Sequence, residues 1–552
     1  MVLPEPHPLA IFSLVPLNDR AKSVLDHPDN IHLVSLIPQA VKNPLKEKEE
    51  EDGKPTRGEP TRGLNIGTHI GSKSRYTLAT LGRLGDITVE GSSISKIHCS
   101  FDVHCHTNEI ILWDQSSNGS TQTFGQNAMK IPSRLERPDR WVVVAKKVNN
   151  IFGFGGSHCD LFEFMIHWHE PVNDLKERIS YREDHPKYTR TLDDETATVI
   201  TSKPATRIHT PIKYTPGTFT PGVQGQAKKI RYYTKKRIGK GSFGEVWKAV
   251  DVDTGEVFAL KLIPWPKLGP QSQQYTLLKR EVEISASLSH PNIVEFISAQ
   301  GWGGTHLEVF TGLKDGNLED LISADLFRND EATSLLREML EALDHLAYKG
   351  IVHRDVKPEN ILYTRLPAGS YTFQLTDFGL SNVITDARSY AGSPIYMAPE
   401  LLSNPTNPQT SKVDVWSLFV TLAYALNVDG FREKPFDTNE FKVRAVQEAA
   451  RDPILNPLRD MAIIDPSRRA SAGEMLDKLF GGKGRSSPRS KAQNDAGHTD
   501  AAASKPQPER HPRAKQSRQP DRQRTKCPRC HFEGDKEEVR RHIMFYLHTV
   551  QA

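Results

Sequence analysis

The chain has 552 residues, of which 37% are hydrophobic and 25% are charged, and its formal net charge is +4. This length allows about two to four domains, and so small a net charge implies by itself neither a nucleic-acid nor a membrane partner. No stretch reaches the roughly 18 apolar residues of a membrane-spanning helix, and residues 1–10 lack the apolar core of a secretory signal. The five cysteines do not form the pattern of a disulfide framework. A reducing compartment, the nucleus or the cytoplasm, is expected.

Residues 10–168 have the pattern of a β-rich domain. A charged insert with Pro and Gly at residues 43–63 interrupts this domain and is predicted to be a loop. Residues 169–231 are rich in Thr and Pro and are predicted to be a linker. The expected strands are short runs separated by turn residues, at residues 10–17, 31–37, 100–103, 109–114 and 160–166.

Residues 232–480 combine strand-like runs with long amphipathic helices such as residues 330–349. Residues 481–526 contain 12 Lys and Arg against 4 Asp and Glu and almost no large apolar residue, which predicts a basic, disordered linker. Residues 527–552 regain aromatic and aliphatic residues around a set of Cys and His. The sequence therefore predicts three structured parts joined by two linkers.

The run from Ile238 to Val246 places glycines at positions 239, 241 and 244. Gly239, Gly241 and Gly244 permit a tight hairpin whose backbone N–H groups can approach phosphates. The motif alone is weak, because it also marks dinucleotide-binding folds and plain glycine turns.

The residues that follow decide between these alternatives. Ala259 and Lys261 lie on a short apolar strand, and a buried ammonium needs a partner, which Glu281 can supply from a helix. Four further blocks follow in order, IVHRDVKPENIL at 351–362, TDFG at 376–379, GSPIYMAPE at 392–400 and DVWS at 414–417. With every block present, about 250 residues resemble the eukaryotic protein kinase family.

This resemblance implies phosphoryl transfer from Mg·ATP to a Ser or Thr hydroxyl. Asp355 is the expected catalytic base, and Lys357 is expected to steady the γ-phosphoryl group. Lys261, fixed by Glu281, is expected to hold the α- and β-phosphates. Two hard oxygen ligands for Mg²⁺ are expected from Asn360 and Asp377.

The resemblance also implies an adenine site. Ile238, Val246 and Ala259 are expected above the ring and Leu362 below it. The edge of the ring is expected to meet the hinge backbone near Glu308 and Phe310, with Leu307 as the gatekeeper. Away from this site, Glu400 is expected to pair with Arg469 in a structural role.

Two departures from the family pattern bear on activity. Ser285 stands where the family usually has a bulky apolar residue four positions after Glu281, and Leu418 replaces a common glycine. No catalytic group is lost, so an active kinase is predicted. A catalytically silent kinase-fold scaffold is the alternative, and a nucleic-acid-binding regulator dominated by the basic tail is a third hypothesis.

The N-terminal region contains a second constellation. Arg83 is followed by Ser95, Lys96 and His98, and then by Ser117 and Asn118 in a Ser-Ser-Asn-Gly turn. In order and spacing these residues resemble the forkhead-associated (FHA) domain, a β-sandwich that binds phosphothreonine peptides on its loops. The resemblance implies that Arg83, Ser95, Lys96 and Ser117 contact the phosphate and that Asn118 holds the peptide backbone. His98 is expected to brace the loops.

An FHA domain followed by a Ser/Thr kinase is similar to the checkpoint kinases of the DNA-damage response. The fold class predicted is therefore multidomain, with an all-β FHA sandwich, an α+β two-lobed kinase and a small C-terminal finger. Expected partners are phosphothreonine proteins, protein substrates and a transient homodimer. Against a checkpoint role, the N-terminus lacks a cluster of Ser-Gln and Thr-Gln sites.

The C-terminal set consists of Cys527, Cys530, His542 and His548. Its spacing is near that of a tetrahedral structural zinc site. So short a segment buries too little apolar surface to fold without a bound metal ion. A chance pair of cysteines beside histidines is the alternative. A single finger with a basic arm also allows weak contact with nucleic acid or with a protein.

Regulation is predicted in the activation segment, residues 377–400. Ser389 lies four residues before Ser393, and related kinases often carry their activating phosphate at the position of Ser389. Arg354 is expected to pair with a phosphate on Ser389. Pairing of two molecules through the FHA domain is expected to raise the local concentration for trans-autophosphorylation. The Thr-Pro pairs at Thr210, Thr215 and Thr220 are candidate docking sites once phosphorylated.

Overall fold

The computed structural model describes most of residues 4–488 and two short strands near the C-terminus. The described residues form two compact units, the first within Met1–Ser272 and Phe296–Leu313 and the second within Gln273–Glu295 and Lys314–Ala552. Among the described helices, none is long and apolar enough to cross a membrane. The described ranges are 4–37, 61–137, 139–156, 161–169, 175–182, 229–241, 244–265, 273–302, 304–367, 369–378, 394–403, 410–488, 525–526 and 533–534.

The N-terminal part of the first unit is a sandwich of two β-sheets, with one helix, α1 (Asp19–Leu25). Its strands are β1 (Ala10–Pro16), β2 (Val34–Ile37), β3 (Thr61–Gly67), β4 (Thr77–Gly82), β5 (Ile87–Thr88), β6 (Cys99–Val103), β7 (Ile110–Asp114), β8 (Gln122–Phe124), β9 (Trp141–Val144), β10 (Ile151–Phe154) and β11 (Phe162–Trp168). One sheet has the order β2-β3-β1-β11-β10-β8, and the other has the order β5-β4-β6-β7-β9. The pairs are antiparallel except β4 with β5.

Aromatic side chains join the two sheets in the sandwich core. The ring of Phe12 on β1 lies 5.0 Å from that of Phe101 on β6, and Phe101 lies 5.4 Å from Phe152 on β10. All three side chains are fully buried. Burial of each contributes about 1.5–3 kcal/mol, so this cluster is a main source of the sandwich's stability.

Three boundaries differ from the sequence-based expectation. The predicted loop insert at 43–63 ends inside β3, whose residues pair with both β1 and β2. Residues Pro28–Leu33 form a 3-10 helix, so the second strand begins only at Val34. The predicted linker contains helix α2 (Leu175–Ser180), and Ile179 is buried in the sandwich core. A buried apolar residue therefore anchors part of the linker on the sandwich.

The first unit also contains a five-stranded antiparallel sheet. Its strands are β12 (Tyr232–Gly241), β13 (Gly244–Asp251), β14 (Val257–Pro264), β15 (Phe296–Gln300) and β16 (His306–Gly312). Their order is β12-β13-β14-β16-β15. Sequential hairpins explain the first three positions, and β16 then lies between β14 and β15.

The turn between β13 and β14 packs directly on the sandwich. The backbone N–H of Val143 on β9 donates to the carbonyl of Val252 at 2.9 Å, and Val252 is fully buried in the sandwich core. The indole N–H of Trp141 donates to the carbonyl of Asp253. The five-stranded sheet is thus fixed to the edge of the sandwich by both backbone pairing and apolar burial.

The second unit is mainly helical. Its elements are α3 (Gln273–Ser287), β17 (Gly316–Asn317), α4 (Leu318–Ser323), α5 (Asn329–Tyr348), β18 (Ile361–Arg365), β19 (Tyr371–Leu375), α6 (Pro399–Ser403), α7 (Lys412–Ala425), α8 (Asn439–Ala449) and α9 (Ala472–Phe480). Helix α7 is buried on nearly every side, as expected for a helix at the centre of a core. The antiparallel sheet β17-β18-β19 carries the loops of the candidate site.

Candidate functional site

The glycine-rich hairpin lies between β12 and β13. Gly239 pairs with Val246, and Gly241 pairs with Gly244. Gly244 has φ +142°, and a Cβ there would lie 2.0 Å from the carbonyl oxygen of Leu262, so only glycine fits. Ile238 is exposed at an irregularity in the register. The tip of the hairpin, residues 242 and 243, lies outside the described residues.

Lys261 occupies the middle of β14, where it pairs with Val246 on one side and Val309 on the other. Its side chain is half-buried, and Ala259, two residues earlier, is 9% exposed. Glu281 lies in α3, but its side chain is outside the described part of the chain. The Lys261–Glu281 pair therefore stays a prediction.

The structure corrects the expected hinge. Glu308 and Phe310 lie inside β16, which pairs with β14 on one edge and β15 on the other. Backbone groups of a strand in this position are used by the sheet. The Phe310 ring is fully buried against Phe258 at 5.0 Å, and Leu307 is fully buried in the same strand. The backbone at Glu308 and Phe310 is therefore not available to the edge of an adenine ring.

The loop before β18 brings three predicted residues together. Lys357 Nζ donates to Asp355 Oδ2 at 2.8 Å, and Asn360 Nδ2 donates both to the same oxygen and to the Asp355 carbonyl, each at 2.8 Å. The Asp355 side chain is 15% exposed. The Lys357 ammonium and the Asn360 amide thus both donate to one oxygen of Asp355 and fix the orientation of its carboxylate.

Because the Asn360 amide nitrogen donates to Asp355, its Oδ1 points elsewhere and can act as a metal ligand. Asp377 follows β19 with φ +62°, a left-handed conformation that is uncommon for a residue other than glycine. Asn360 and Asp377 are the hard oxygen donors that Mg²⁺ prefers. Leu362 on β18 is half-buried and pairs with Gln374.

A buried histidine and a buried aspartate fix this loop. His353 Nδ1 accepts from the Asp355 N–H at 3.2 Å, so its Nε2 carries the proton and donates to the Thr376 carbonyl at 2.8 Å. Asp414 on α7 accepts the backbone N–H groups of His353 and Arg354 at 2.8 and 2.7 Å. Burial raises the pKa of the Asp414 carboxyl, and the His353 ring and these donors counteract the rise.

Asp414 was present in a recognised sequence block but had no predicted role. Its two bonds restrain Arg354, which has φ +71°, and so restrain the residue next to Asp355. The Phe378 ring packs on His353 at 5.2 Å. The segment that ends in Asp377 is thereby tied to the segment that carries Asp355.

The predicted pair of Glu400 and Arg469 forms in the second unit. The Arg469 guanidinium is fully buried and binds both carboxylate oxygens of Glu400, at 2.7 and 2.9 Å. It also lies 5.0 Å above the Trp416 ring. Ser389, Ser393 and the rest of residues 379–393 lie outside the described residues, so the predicted switch is not located.

The structure brings two predicted loops of the sandwich together. Ser95 Oγ lies 3.4 Å from Ser117 Oγ, and it accepts the Ser117 backbone N–H at 3.4 Å. Arg83 follows β4, and its Nε donates to the Ile94 carbonyl at 2.9 Å. Lys96 and Asn118 are exposed on the same two loops. Basic and hydroxyl groups therefore meet at one edge of the sandwich.

His98 joins these loops from beneath. Its Nδ1 accepts the Ser95 N–H at 3.2 Å, so its Nε2 carries the proton and donates to Ser120 Oγ at 2.9 Å. The ring is fully buried, and this burial lowers the pKa of His98. A neutral, bridging histidine is what the predicted bracing role requires.

Sequence reasoning missed the support of the second loop. Asp114 Oδ1 accepts the N–H and the hydroxyl of Ser116 at 3.0 and 2.6 Å, and Asp114 Oδ2 pairs with buried Arg140 at 3.2 Å. Arg140 also donates to the Ser116 carbonyl. Gly119 has φ +68°, and a Cβ there would lie 2.5 Å from Arg140. In the sequence, only Gly119 of the Ser-Ser-Asn-Gly turn could have indicated that this loop packs tightly on Arg140.

A groove of about 740 Å³ adjoins these loops. Its lining includes Ser117 and Asn118, one acidic residue, Asp114, which pairs with Arg140, and two further basic residues, Lys130 and Arg134. Its positive charge suits an anionic or peptidic ligand.

The predicted zinc ligands Cys527, Cys530, His542 and His548 lie outside the described residues. Within the described part of the chain, no group of His, Cys, Asp and Glu has the arrangement of a metal site. Two short strands, β20 (Thr525–Lys526) and β21 (Glu533–Gly534), pair antiparallel around the positions of the two cysteines.

The calcium/calmodulin-dependent protein kinase type II of Caenorhabditis elegans is 34% identical over 195 residues, 35% of this chain and 26% of that protein. The probable serine/threonine-protein kinase fhkB of Dictyostelium discoideum is 26% identical over 402 residues, 69% of this chain and 32% of that protein. This chain thus spans about a quarter to a third of the length of these relatives.

Among solved structures, the crystal structure of Rad53 1-466 in complex with AMP-PNP is similar, with 20% identity and a TM-score of 0.46. It covers 76% of this chain and 96% of that chain. The model of the protein kinase domain matches residues 232–480. Residues 232–480 of this chain are therefore a protein kinase domain.

Proposed function

We propose that the chain is an ATP-dependent Ser/Thr protein kinase. The observation that carries this proposal is the Asp355 carboxylate, held at 2.8 Å by both Lys357 and Asn360 on a loop that Asp414 fixes from below. A general base needs this restrained position before it can accept a proton from an incoming hydroxyl. Lys357 in the catalytic loop favours a Ser or Thr hydroxyl as acceptor.

In the reaction, the substrate hydroxyl oxygen bonds to the γ-phosphorus as the bond to the ADP oxygen breaks. Asp355 accepts the hydroxyl proton, and Lys357 places a positive charge beside the transferred group. Mg²⁺, when held by Asn360 and Asp377, neutralises charge on the phosphate oxygens. Lys261 orients the α- and β-phosphates from β14.

Phosphate transfer from ATP to Ser/Thr peptides tests this proposal on the full-length protein. Asp355→Asn is expected to lower the rate by about 10²–10⁴-fold, the usual contribution of a general base. Asp437→Asn, which changes an exposed acid in the same unit, is the matched control and should keep its rate. Equal rates in all three proteins would assign the activity to a contaminant.

The second candidate is a silent scaffold, and Ser285 on α3 supports it. This small polar side chain stands where the family usually packs a bulky apolar residue, which disfavours an assembled active state. No phosphoryl transfer by the wild-type chain, even after treatment with an upstream kinase, combined with intact nucleotide binding, would establish the scaffold.

We further propose that the sandwich is an FHA domain that binds phosphothreonine. The support is the meeting of Ser95 and Ser117 beside exposed Arg83 and Lys96, above the buried His98. Charge-assisted bonds from such groups match a phosphate with nearly two charges and three acceptor oxygens. Asn118, which is exposed on the same loop as Ser117, is proposed to hold the peptide backbone.

Binding of a phosphothreonine peptide library to the full-length protein is the test. Arg83→Ala is expected to weaken binding by at least about tenfold, the loss of one charge-assisted bond. Lys22→Ala, an exposed basic residue elsewhere on the sandwich, should bind like wild type. Equal affinity for the unphosphorylated peptides would refute phosphate recognition.

We also propose a nuclear role in checkpoint signalling. The support is that an FHA domain followed by a Ser/Thr kinase resembles the checkpoint kinases of the DNA-damage response. Imaging of a tagged full-length chain before and after DNA damage tests it. A chain that stays outside the nucleus in both conditions contradicts it.

For the C-terminus we propose one Zn²⁺ held by Cys527, Cys530, His542 and His548. The spacing supports it, and β20 and β21 bracket the cysteines. Metal analysis should find about one equivalent of zinc, lost in Cys527→Ser but kept in Cys105→Ser. Less than half an equivalent in wild type counts against the site.

A further inference from the structure

The end of the kinase domain folds back onto the helical unit and is held there by one buried carboxylate. Residues 485–488, named here the C-terminal latch, follow α9 and lie against α5. Asp344 on α5 is 2% exposed. Its Oδ2 accepts the backbone N–H groups of Ser486 and Ser487 at 2.6 and 2.9 Å, and its Oδ1 accepts the Ser487 hydroxyl at 2.6 Å.

Arg485 completes the latch. Its guanidinium pairs with Asp477 on α9 and donates to the Ser487 carbonyl at 2.9 Å and to the Pro488 carbonyl at 2.9 Å. A buried carboxylate is costly unless donors surround it. The hydrogen bonds described for the Asp344 side chain all come from the latch, while His290 and His345 interact with it through charge. The seated segment and the burial of Asp344 therefore depend on each other.

A glycine makes room for the latch. Gly473 lies within α9, where glycine costs helix stability. A Cβ at Gly473 would lie 2.6 Å from Asp344 Oδ1 and 2.8 Å from Ser487 Oγ. The space between Gly473 and the Ser487 hydroxyl therefore has no room for one further carbon atom.

We propose that Ser487 is a phosphorylation site and that its modification releases the latch. Ser487 precedes Pro488, the dipeptide that proline-directed Ser/Thr kinases modify, and both residues are only partly covered or exposed. Its hydroxyl oxygen bonds to the γ-phosphorus of ATP, the bond to ADP breaks, and the hydroxyl proton passes to the modifying kinase. The product is phosphoserine and ADP.

Phosphoserine cannot remain in this seat. It brings nearly two negative charges and three oxygens beside the Asp344 carboxylate, which is itself buried. The Arg485 guanidinium donates from Nε to the Ser487 hydroxyl at 3.1 Å, but its charge is already paired with Asp477. Like charges at this distance and the tight approach of Gly473 both favour an open latch, which lets water reach Asp344. Release would free the start of the basic segment that follows residue 488.

The test uses the full-length chain in an Asp355→Asn background, so that its own proposed activity adds no phosphate. The protein is incubated with Mg·ATP and a proline-directed Ser/Thr kinase, and mass spectrometry locates the phosphate. Hydrogen exchange then reports on the peptide 481–488, which contains the two N–H groups bound to Asp344. Phosphate at Ser487 is expected, with exchange at least about tenfold faster, the factor for losing one bond to a charged acceptor.

Two variants separate release from misfolding. Gly473→Ala favours the helix but pushes out the latch, so it should show the fast exchange without any phosphate. Ser486→Ala keeps both N–H donors and should behave like wild type. Absence of phosphate at Ser487 in wild type and in Gly473→Ala overturns the proposal, as does a phosphorylated protein with unchanged exchange. Modification in Gly473→Ala alone also overturns it, because the latch would then only protect Ser487.

Discussion

Glu109 connects the sandwich to the first strand of the kinase sheet, and its replacement tests whether the two fold as one body. Glu109 is 7% exposed and accepts the Tyr233 hydroxyl at 2.8 Å and Lys235 Nζ at 2.5 Å. Burial, together with the Glu109 charge, raises the pKa of Tyr233, so its hydroxyl stays a neutral donor. The two donors differ in exposure and should contribute unequally.

A hydrogen bond to a charged acceptor contributes about 1.5–3 kcal/mol. The Lys235 side chain is 40% exposed, so its ion pair contributes only about 0–1 kcal/mol after screening by solvent. Glu109→Ala should therefore destabilise the contact by about 1.5–4 kcal/mol. In a double-mutant cycle with Tyr233→Phe, the coupling free energy should be about 1.5–3 kcal/mol.

Native-state hydrogen exchange of the β12 amides measures the opening free energy in the four proteins of this cycle. Arg237→Ala with Glu245→Ala is the control cycle, since this ion pair lies within the sheet and both side chains are more than a third exposed. Its coupling should stay below about 1 kcal/mol. If the effects of Glu109→Ala and Tyr233→Phe on the opening free energy add to within about 0.5 kcal/mol, the sandwich and the sheet do not depend on this contact.

Three further predictions concern catalysis, pH and activation. Lys261→Met and Asp377→Ala should each abolish phosphoryl transfer while circular dichroism stays like wild type; normal turnover in either refutes the assignment. Burial lowers the pKa of His69 from 6.5 to about 4. As pH falls, His69 is therefore protonated in the unfolded chain before it is protonated in the folded chain. The sandwich should lose about 1–3 kcal/mol as pH falls from 6.5 to 4, and His69→Gln should flatten this slope in urea titrations. Ser389→Ala should lower activity at any protein concentration, whereas Arg83→Ala should slow activation only in dilute solution and be rescued by forced dimerisation. Wild-type activation of dilute Arg83→Ala protein contradicts self-activation through the sandwich.

Local motifs predicted much of the candidate site because their spacing carries the chemistry. The pair of Glu400 and Arg469 and the bridging role of His98 were both expected from sequence and both form. Asp355 and Asn360 are separated by five positions, so their contact follows from one loop. Glu400 and Arg469 lie 69 positions apart, and their pair was predicted because each belongs to a sequence block of the family.

Strand register, and long-range contacts outside the recognised sequence blocks, could not be predicted in this way. The hinge was placed near Glu308 because an apolar run does not show where a strand ends, and β16 continues to Gly312. Asp344 and Ser487 are 143 positions apart, and nothing in the local sequence of either points to the other. Pairs of this kind depend on how helices pack, which composition and periodicity do not specify.

Two consecutive residues connect the Ser117 loop of the sandwich to the kinase sheet. Arg140 holds the loop of Ser117 through Asp114 and the Ser116 carbonyl, while Trp141 donates to the carbonyl of Asp253 in the kinase sheet. Both residues belong to one buried stretch of backbone that leads into β9. The Ser117 loop is therefore connected to the kinase sheet through this buried stretch of backbone, in addition to the contacts of Glu109 and the residues that link the domains in sequence. Recruitment through the sandwich would then fix the orientation of the glycine-rich hairpin as well as its location.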